Sequence, residues 1–167
     1  DLTRSLLEND PEKAEIPGGP IQNDATGVEV YSSIFALEES PHNEGEIWVG
    51  SDDGLLHITR DGGKNWQDIT PSKIIPYQGT INKIELSSHK AGRAIVAVYN
   101  YRNGDPKPYI ILTDDYGKNW KLISKDNGIP DDHFVRAVAE DPSKSGLLYA
   151  GTEFGAFVSF NNGGSWN

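Results

Sequence analysis

The feature that most constrains the fold is an eight-residue pattern that occurs three times in the chain. Each copy has a hydroxyl residue first, Asp or Asn third, Gly fifth, Asn or Ser seventh and Trp last. The copies are residues 59–66, 113–120 and 159–166, and their tryptophans lie 54 and 46 residues apart. Three copies of such a specific pattern at similar spacing predict a repeat architecture rather than three coincidences.

Short strands with apolar alternation surround each copy, separated by turns rich in Gly, Pro, Asn and Asp. The predicted strands are residues 30–37, 46–50, 55–59 and 66–69, then 81–86, 93–98, 109–112 and 120–123, and finally 134–139, 147–151 and 156–158. A longer connection, residues 99–107, links two strands of the second unit. Four short strands every 40 to 55 residues are typical of a propeller blade.

The sequence therefore predicts an all-β chain of about three antiparallel, four-stranded blades. We place them at residues 30–70, 80–124 and 133–167, the last without its fourth strand. Propellers need about four or more blades to close, so we expect an incomplete part of a larger propeller. Residues 1–29 are predicted to be a long loop that enters from a preceding blade. Expected partners are the remaining blades of that propeller or other protein chains.

The repeated pattern has a direct physical meaning at a tight turn. Its Asp or Asn can accept hydrogen bonds from backbone N–H groups that the turn leaves free. Its Gly supplies a position with positive φ, and its Trp buries a large ring. We therefore assign a structural role, rather than a ligand role, to Thr59, Asp61, Gly63, Trp66, Thr113, Asp115, Gly117, Trp120, Ser159, Asn161, Gly163 and Trp166.

Composition excludes several functions. The net charge of −10 argues against nucleic acid and anionic membrane surfaces as partners, because both require a basic face. No apolar run approaches the roughly 20 residues of a membrane span, so no membrane insertion is expected. There is no Cys, the four His show no metal spacing, and no calcium loop or phosphate-binding Gly loop occurs. We predict no metal and no cofactor.

The repeated pattern resembles the Asp box, also called the BNR repeat, of Asp-box β-propellers. These include sialidases, xyloglucan-degrading glycosidases, sortilin-type receptors and photosystem assembly factors. Residues 47–66 and 146–153 are similar to bacterial proteins described as glycosyl-hydrolase-like or sortilin-like, and residues 1–4 and 18–21 resemble further segments of them. The resemblance implies a secreted, periplasmic or cell-surface protein. It also implies that the boxes lie on the face opposite the ligand site.

Three acids are candidates for catalysis on that opposite face. Asp52 and Glu153 hold equivalent positions in the first and third units, and Asp53 follows Asp52. A glycosidase needs two carboxylates about 5–10 Å apart, and adjacent residues of an extended backbone point apart. The alternative is that these acids form turns or are solvated.

Further candidates for a ligand face lie in two connections. Tyr99, Tyr101 and Arg102 could stack on a sugar or a peptide, or could pack against the adjacent blade. Asp132 and His133 resemble half of a metal site, with a solvated turn as the alternative. No cluster of Arg typical of a sialidase is present.

The leading hypothesis is a non-catalytic binding or scaffold module in an exported, sortilin-like propeller with protein or peptide partners. The alternative is part of a glycoside-hydrolase-related propeller that acts on polysaccharide. A second carboxylate facing the channel from another blade would favour the alternative.

Overall fold

A computed structural model describes residues 33–167. The long loop predicted for residues 1–29 and the first residues of the first predicted strand lie outside this range. Among residues 33–167, no helix is long and apolar enough to cross a membrane.

The described chain forms three antiparallel sheets in which neighbouring strands follow one another in sequence. Sheet 1 contains β1 (Ile34–Glu39), β2 (Ile47–Ser51), β3 (Leu56–Thr59) and β4 (Gln67–Asp68). Sheet 2 contains β5 (Thr80–Leu86), β6 (Ala94–Asn100), β7 (Asp105–Thr113) and β8 (Lys121–Leu122). Sheet 3 contains β9 (Val135–Glu140), β10 (Leu148–Thr152) and β11 (Ala156–Ser159). The predicted all-β, antiparallel fold class is confirmed.

Strand alternation places the core in two layers, one between sheets 1 and 2 and one between sheets 2 and 3. In β6, Val96 and Val98 join the layer with sheet 1, whereas Ile95 and Ala97 join the layer with sheet 3. All residues of β6 are buried because sheets cover both faces of the strand, and every side chain except that of Asn100 is apolar or aromatic. Trp48 is the largest side chain of the first layer and is fully buried.

The outer face of sheet 1 presents apolar side chains to solvent. Ile34 and Leu37 are 50% and 60% exposed, although they occupy the register positions that the fully buried Ile81 and Ile84 occupy in sheet 2. In sheet 2 these positions pack against the preceding sheet. The first sheet therefore carries the apolar side chains for such a contact.

One predicted boundary is corrected. The connection predicted for residues 99–107 is much shorter, because β6 extends through Asn100 and β7 begins at Asp105, leaving one 3-10 turn, Tyr101–Asn103. At the other end of the chain, Asn167 exchanges two backbone hydrogen bonds of 3.0 Å with Val158. Sheet 3 contains three strands, and Asn167 pairs with Val158 at the position where the fourth strand of the other two sheets begins.

Candidate functional site

The repeated turns, which we call box turns (residues 59–66, 113–120 and 159–166), lie at one end of the three sheets. In the first, the Thr59 hydroxyl donates to Asp61 Oδ1 (2.8 Å) and accepts from the Gly63 N–H (2.9 Å). Asp61 accepts from both the backbone N–H and the side-chain amide of Asn65, at 2.9 and 2.7 Å. These bonds lower the pKa of Asp61 to about 2. The carboxylate is thus ionised and occupied within the turn.

The same bonds recur in the other two box turns. Thr113 and Ser159 donate to Asp115 and Asn161 at 2.9 and 3.0 Å. The Asn119 side chain and backbone lower the pKa of Asp115 as well. Asn161 cannot ionise, yet its Oδ1 still accepts a hydrogen bond from the Ser165 backbone N–H at 2.8 Å. The turn therefore requires an acceptor oxygen more than a charge.

The box tryptophans and glycines join neighbouring sheets. The indole N–H of Trp120 donates to the Ile69 carbonyl of sheet 1 at 3.0 Å, and that of Trp166 donates to the Ile123 carbonyl at 2.7 Å. A Cβ on Gly117 would lie 2.8 Å from the Ile69 Cβ, well inside ordinary carbon–carbon contact. These residues have partners inside the chain, as expected for turns that hold sheets together.

A buried ion pair reinforces this end. Arg93, 5% exposed, donates to Glu140, 2% exposed, across the gap between sheets 2 and 3, with Nε to Oε1 at 3.1 Å. Its other nitrogens donate to Asp114 (3.0 Å) and to Asn162. Burial alone would raise the pKa of Glu140, but its hydrogen bonds and Arg93 lower it. This end of the molecule is therefore closed by internal contacts.

The opposite end contains the three candidate acids, and two of them are buried in turn structure. Asp52 and Asp53 are 8% and 2% exposed. Asp52 accepts the Ser33 N–H at 2.8 Å, and Asp53 accepts the Ser51 hydroxyl. Glu153 is exposed and bonds to Arg136, with Nε to Oε1 at 2.6 Å. The structure thus places Asp52 and Asp53 within the first sheet's turn and Glu153 in an ion pair of the third.

The candidate aromatic residues form a cluster at the seam between sheets 2 and 3. We call it the seam cluster, and its members are Tyr99, Tyr101, Arg102, Phe134 and Arg136. Tyr101 and Phe134 are stacked, with ring centroids 4.6 Å apart and planes at 18°. The Tyr99 ring is 5.1 Å from Tyr101, but it is only 1% exposed because it belongs to β6 and not to a loop. Tyr99 therefore forms the floor, and the partly exposed Tyr101 and Phe134 form the accessible part.

Two guanidinium groups lie on these rings. Arg136 is about 5 Å from three ring centroids: 4.9 Å from Tyr99, and 5.0 Å from both Tyr101 and Phe134. Arg102 lies 5.7 Å from the Tyr99 centroid. Such cation–π contacts fix the direction of the guanidinium plane. The seam cluster is thus a preorganised aromatic surface with two cations.

The Tyr101 side chain lies near both cations. Partial burial would raise the pKa of Tyr101, but the nearby guanidinium groups of Arg102 and Arg136 outweigh this effect and lower it. Burial would likewise lower the pKa of Arg102, but Tyr101 and the nearby Asp52 carboxylate raise it. Both guanidinium groups are therefore charged, and they lie 5.7 and 4.9 Å from the centroid of the same Tyr99 ring.

Asp132 and His133 lie beside the seam cluster. His133 Nδ1 is 2.8 Å from Asp132 Oδ1, which lowers the pKa of Asp132, and the imidazole lies 4.5 Å from the Phe154 ring. No group of three or more His, Asp or Glu side chains in residues 33–167 is arranged to hold a metal ion. The pair is a partly exposed edge of the same surface.

Sequence reasoning did not identify Phe134 and Arg136 as site residues. Phe134 precedes β9 and Arg136 lies inside it, so both read as ordinary strand positions. The available signal was the spacing of these two residues. An aromatic and a basic residue lie two positions apart, directly after the connecting residues 125–133. Their proximity to Tyr101 depends on how sheets 2 and 3 pack.

Comparison with known proteins gives a partial match in sequence. No family model matches the chain. An oligoxyloglucan-reducing end-specific xyloglucanase from Emericella nidulans is 28% identical over 129 residues, which are 75% of this chain. The chain spans about 15% of the length of that relative.

Solved structures match over more of the chain. YCF48 from Cyanidioschyzon merolae has a TM-score of 0.63 at 20% identity, over 84% of this chain and 40% of that one. YCF48 bound to D1 peptide has a TM-score of 0.59 at 18% identity, over 81% and 40%. An ancestral GH74 enzyme has a TM-score of 0.63 at 24% identity, over 83% and 18%.

These likenesses define the class of protein. Together with three consecutive antiparallel sheets that pack face to face, they show that the chain has the fold of part of a β-propeller, and sheets 1 to 3 are successive blades. At these identities the structural likeness concerns the fold alone.

Proposed function

We propose that this chain is a binding module within a larger propeller and that it engages a protein or peptide partner through the seam cluster. The observation that carries the proposal is the stacked pair Tyr101 and Phe134 with Arg136 held over it. Aromatic rings and arginine are the residues that most often dominate protein interfaces. The propeller YCF48, which has a similar fold, has been solved with a D1 peptide bound.

The contacts of the candidate acids favour a binding function over a catalytic one. A glycosidase needs one carboxyl group that can donate a proton and a second that can act as base or nucleophile. Asp53 is buried and accepts the Ser51 hydroxyl, and Glu153 is paired with Arg136. Among residues 33–167, these acids form no arrangement that we would assign to hydrolysis.

A second candidate is binding or cleavage of a polysaccharide, with the reacting acids on other blades. It is favoured by the 28% identity to a xyloglucanase over most of this chain. Flat aromatic surfaces such as Tyr101 also suit the apolar faces of sugar rings.

We further propose that the parent protein is an exported Asp-box propeller of the sortilin-like type. The repeated bonds of the box turns support the Asp-box part of this proposal, and the export part rests on the resemblance of residues 47–66 and 146–153 to sortilin-like proteins. Fractionation of the producing cells tests the location: recovery of the protein with the cytoplasm alone would contradict export.

The two functions are separated by binding and hydrolysis measured on the same preparation of the full-length protein. A peptide array and a panel of xyloglucan oligosaccharides serve as probes. We expect peptide binding that is lost in Tyr101→Ala and Phe134→Ala and retained in Phe160→Ala, an exposed aromatic residue of a box turn. Binding or cleavage of the oligosaccharides, with no peptide bound, would replace the proposal by the second candidate.

A further inference from the structure

We propose that the seam cluster recognises a carboxylate of its ligand, and that Glu153 occupies part of this carboxylate site when no ligand is bound. The inference rests on the proposed function, because it specifies the chemistry of the peptide that the cluster accepts. The carboxylate is held by Arg136 and Arg102, next to the Tyr101 hydroxyl. The ligand is therefore an acidic peptide segment or a peptide C-terminus.

The first reason is the convergence of two cations. Arg102 lies in the 3-10 turn and Arg136 in β9, yet their guanidinium groups lie 5.7 and 4.9 Å from the centroid of the same Tyr99 ring. Two guanidinium groups on one ring repel each other unless an anion or an acceptor lies between them. Guanidinium is the side-chain group best matched to the two oxygens of a carboxylate.

The second reason is an unused donor. The Nε–H of Arg102 is buried and has no hydrogen-bond partner among the described residues. A buried donor without a partner is costly and therefore uncommon. Since the rest of the Arg102 side chain is only partly buried, a ligand oxygen that approached the guanidinium group could provide the missing acceptor.

The third reason is that a carboxylate already sits on Arg136. Glu153 Oε1 accepts from Arg136 Nε at 2.6 Å, and the two side chains are 44% and 38% exposed. An ion pair with this much exposure contributes little to stability, so its exchange for a ligand carboxylate requires little free energy. Glu153 lies in the exposed turn between β10 and β11, where its side chain can move aside. It therefore acts as an internal competitor.

The fourth reason is that the seam cluster differs in charge from the rest of the surface. The chain carries a net charge of −10, so an acidic peptide is repelled by most of its surface. Two arginines supported by aromatic rings make the seam cluster a local exception. An acidic ligand is thereby directed to this place.

The test uses the full-length protein and an array of peptides in matched sets. Each set contains one peptide with a free C-terminus, the same peptide with a C-terminal amide, and a version with every Asp and Glu changed to Asn and Gln. Loss of binding in the amide assigns the carboxylate to the C-terminus, and loss in the Asn and Gln version assigns it to side chains. We expect one of these changes to weaken binding about tenfold, corresponding to about 1.4 kcal/mol.

Variants of the protein test the residues. Arg136→Gln and Arg102→Gln should weaken binding of the carboxylate peptide about tenfold and abolish the difference between matched peptides. Glu153→Gln should instead strengthen binding of the carboxylate peptide, because the competitor has lost its charge. Arg60→Gln is the matched control: Arg60 also lies on an aromatic ring, 4.4 Å from the Tyr116 centroid, but in a box turn at the other end. Circular dichroism and thermal unfolding of each variant check folding.

The outcomes separate the two proposals. Equal binding of all peptides in a set would overturn the carboxylate site and leave peptide binding intact. Weaker binding by Glu153→Gln would overturn its role as competitor. If none of the peptides bound, the proposed function itself would be overturned. Should Arg136→Gln fail to fold, Glu153→Gln and the matched peptides still decide the question.

Discussion

Replacing Gly117 with alanine should destabilise the protein by about 2–4 kcal/mol, far more than the same change at Gly104. Both glycines have φ of +77°, so both substitutions force alanine into the left-handed region, at about 1 kcal/mol. The neighbours differ. Among the described residues, a Cβ at Gly104 meets nothing within 4 Å, whereas at Gly117 it lies 2.8 Å from Ile69 Cβ and 2.9 Å from Cδ1. Overpacking of this kind costs about 1–3 kcal/mol more.

Urea unfolding of the wild type and the two variants measures the difference. Equal slopes of free energy against urea would show that the variants unfold from the same compact state. The difference between the two variants isolates the steric contact between neighbouring sheets, because the backbone strain is shared. If Gly117→Ala cost no more than Gly104→Ala, the close packing of this box turn on Ile69 would be wrong.

A double-mutant cycle locates the clash. Ile69→Ala removes Cδ1 and Cγ2, two of the three atoms nearest to the added Cβ. In the Ile69→Ala background, Gly117→Ala should destabilise the protein by about 1 kcal/mol less than in the wild type. This difference is within the range of coupling energies for residues in contact. Additive costs would mean that the strain arises elsewhere.

Three further predictions concern the same end of the molecule, and urea unfolding measures each of them. Asp115→Ala should cost about 1–2 kcal/mol through lost acceptors, whereas Asp115→Asn should cost less, because it keeps one acceptor oxygen as the third box turn does. Folding lowers the pKa of Asp61 to about 2 and also lowers the pKa of Asp115. The stability that these two carboxylates contribute is therefore complete above the unfolded pKa near 4 and is lost as the pH falls toward 2. A free energy of unfolding that stayed constant across that window would contradict the bonds described. Glu140→Gln should cost about 3 kcal/mol, because it leaves the buried Arg93 with one exposed acid, Asp114.

Much of the fold was predictable because its signals are local. The box turn is defined by residues within eight positions, and the side chains at its first, third and seventh positions bond to one another inside that window, as Asp61 does with Thr59 and Asn65. Strand alternation likewise depends on neighbours two positions away. The boundary at Tyr99 was wrong because tyrosine and asparagine in a polar stretch read as loop, whereas packing of sheet 3 over β6 buries the Tyr99 ring.

The candidate site was less predictable because it depends on how two sheets pack. Tyr101 and Arg102 attracted attention as aromatic and basic residues in a connection, but their partners Phe134 and Arg136 are more than 30 positions away. No short pattern links them. The contact arises from the packing of β9 against β6 and β5, and the sequence contains no local signal for its register.

A final prediction uses a glycine of the first box turn to report whether another blade covers sheet 1. Gly63 corresponds to Gly117, has φ of +89°, and among residues 33–167 an added Cβ would meet only Trp66, at 3.9 Å. We expect a further blade to pack there in the parent protein, because the exposed Ile34 and Leu37 occupy positions that are buried in sheet 2. That blade would place a side chain against Gly63 as sheet 1 places Ile69 against Gly117. Gly63→Ala in the full-length protein should then cost about 2–4 kcal/mol; a cost equal to that of Gly104→Ala would mean that no blade contacts this turn in the same register.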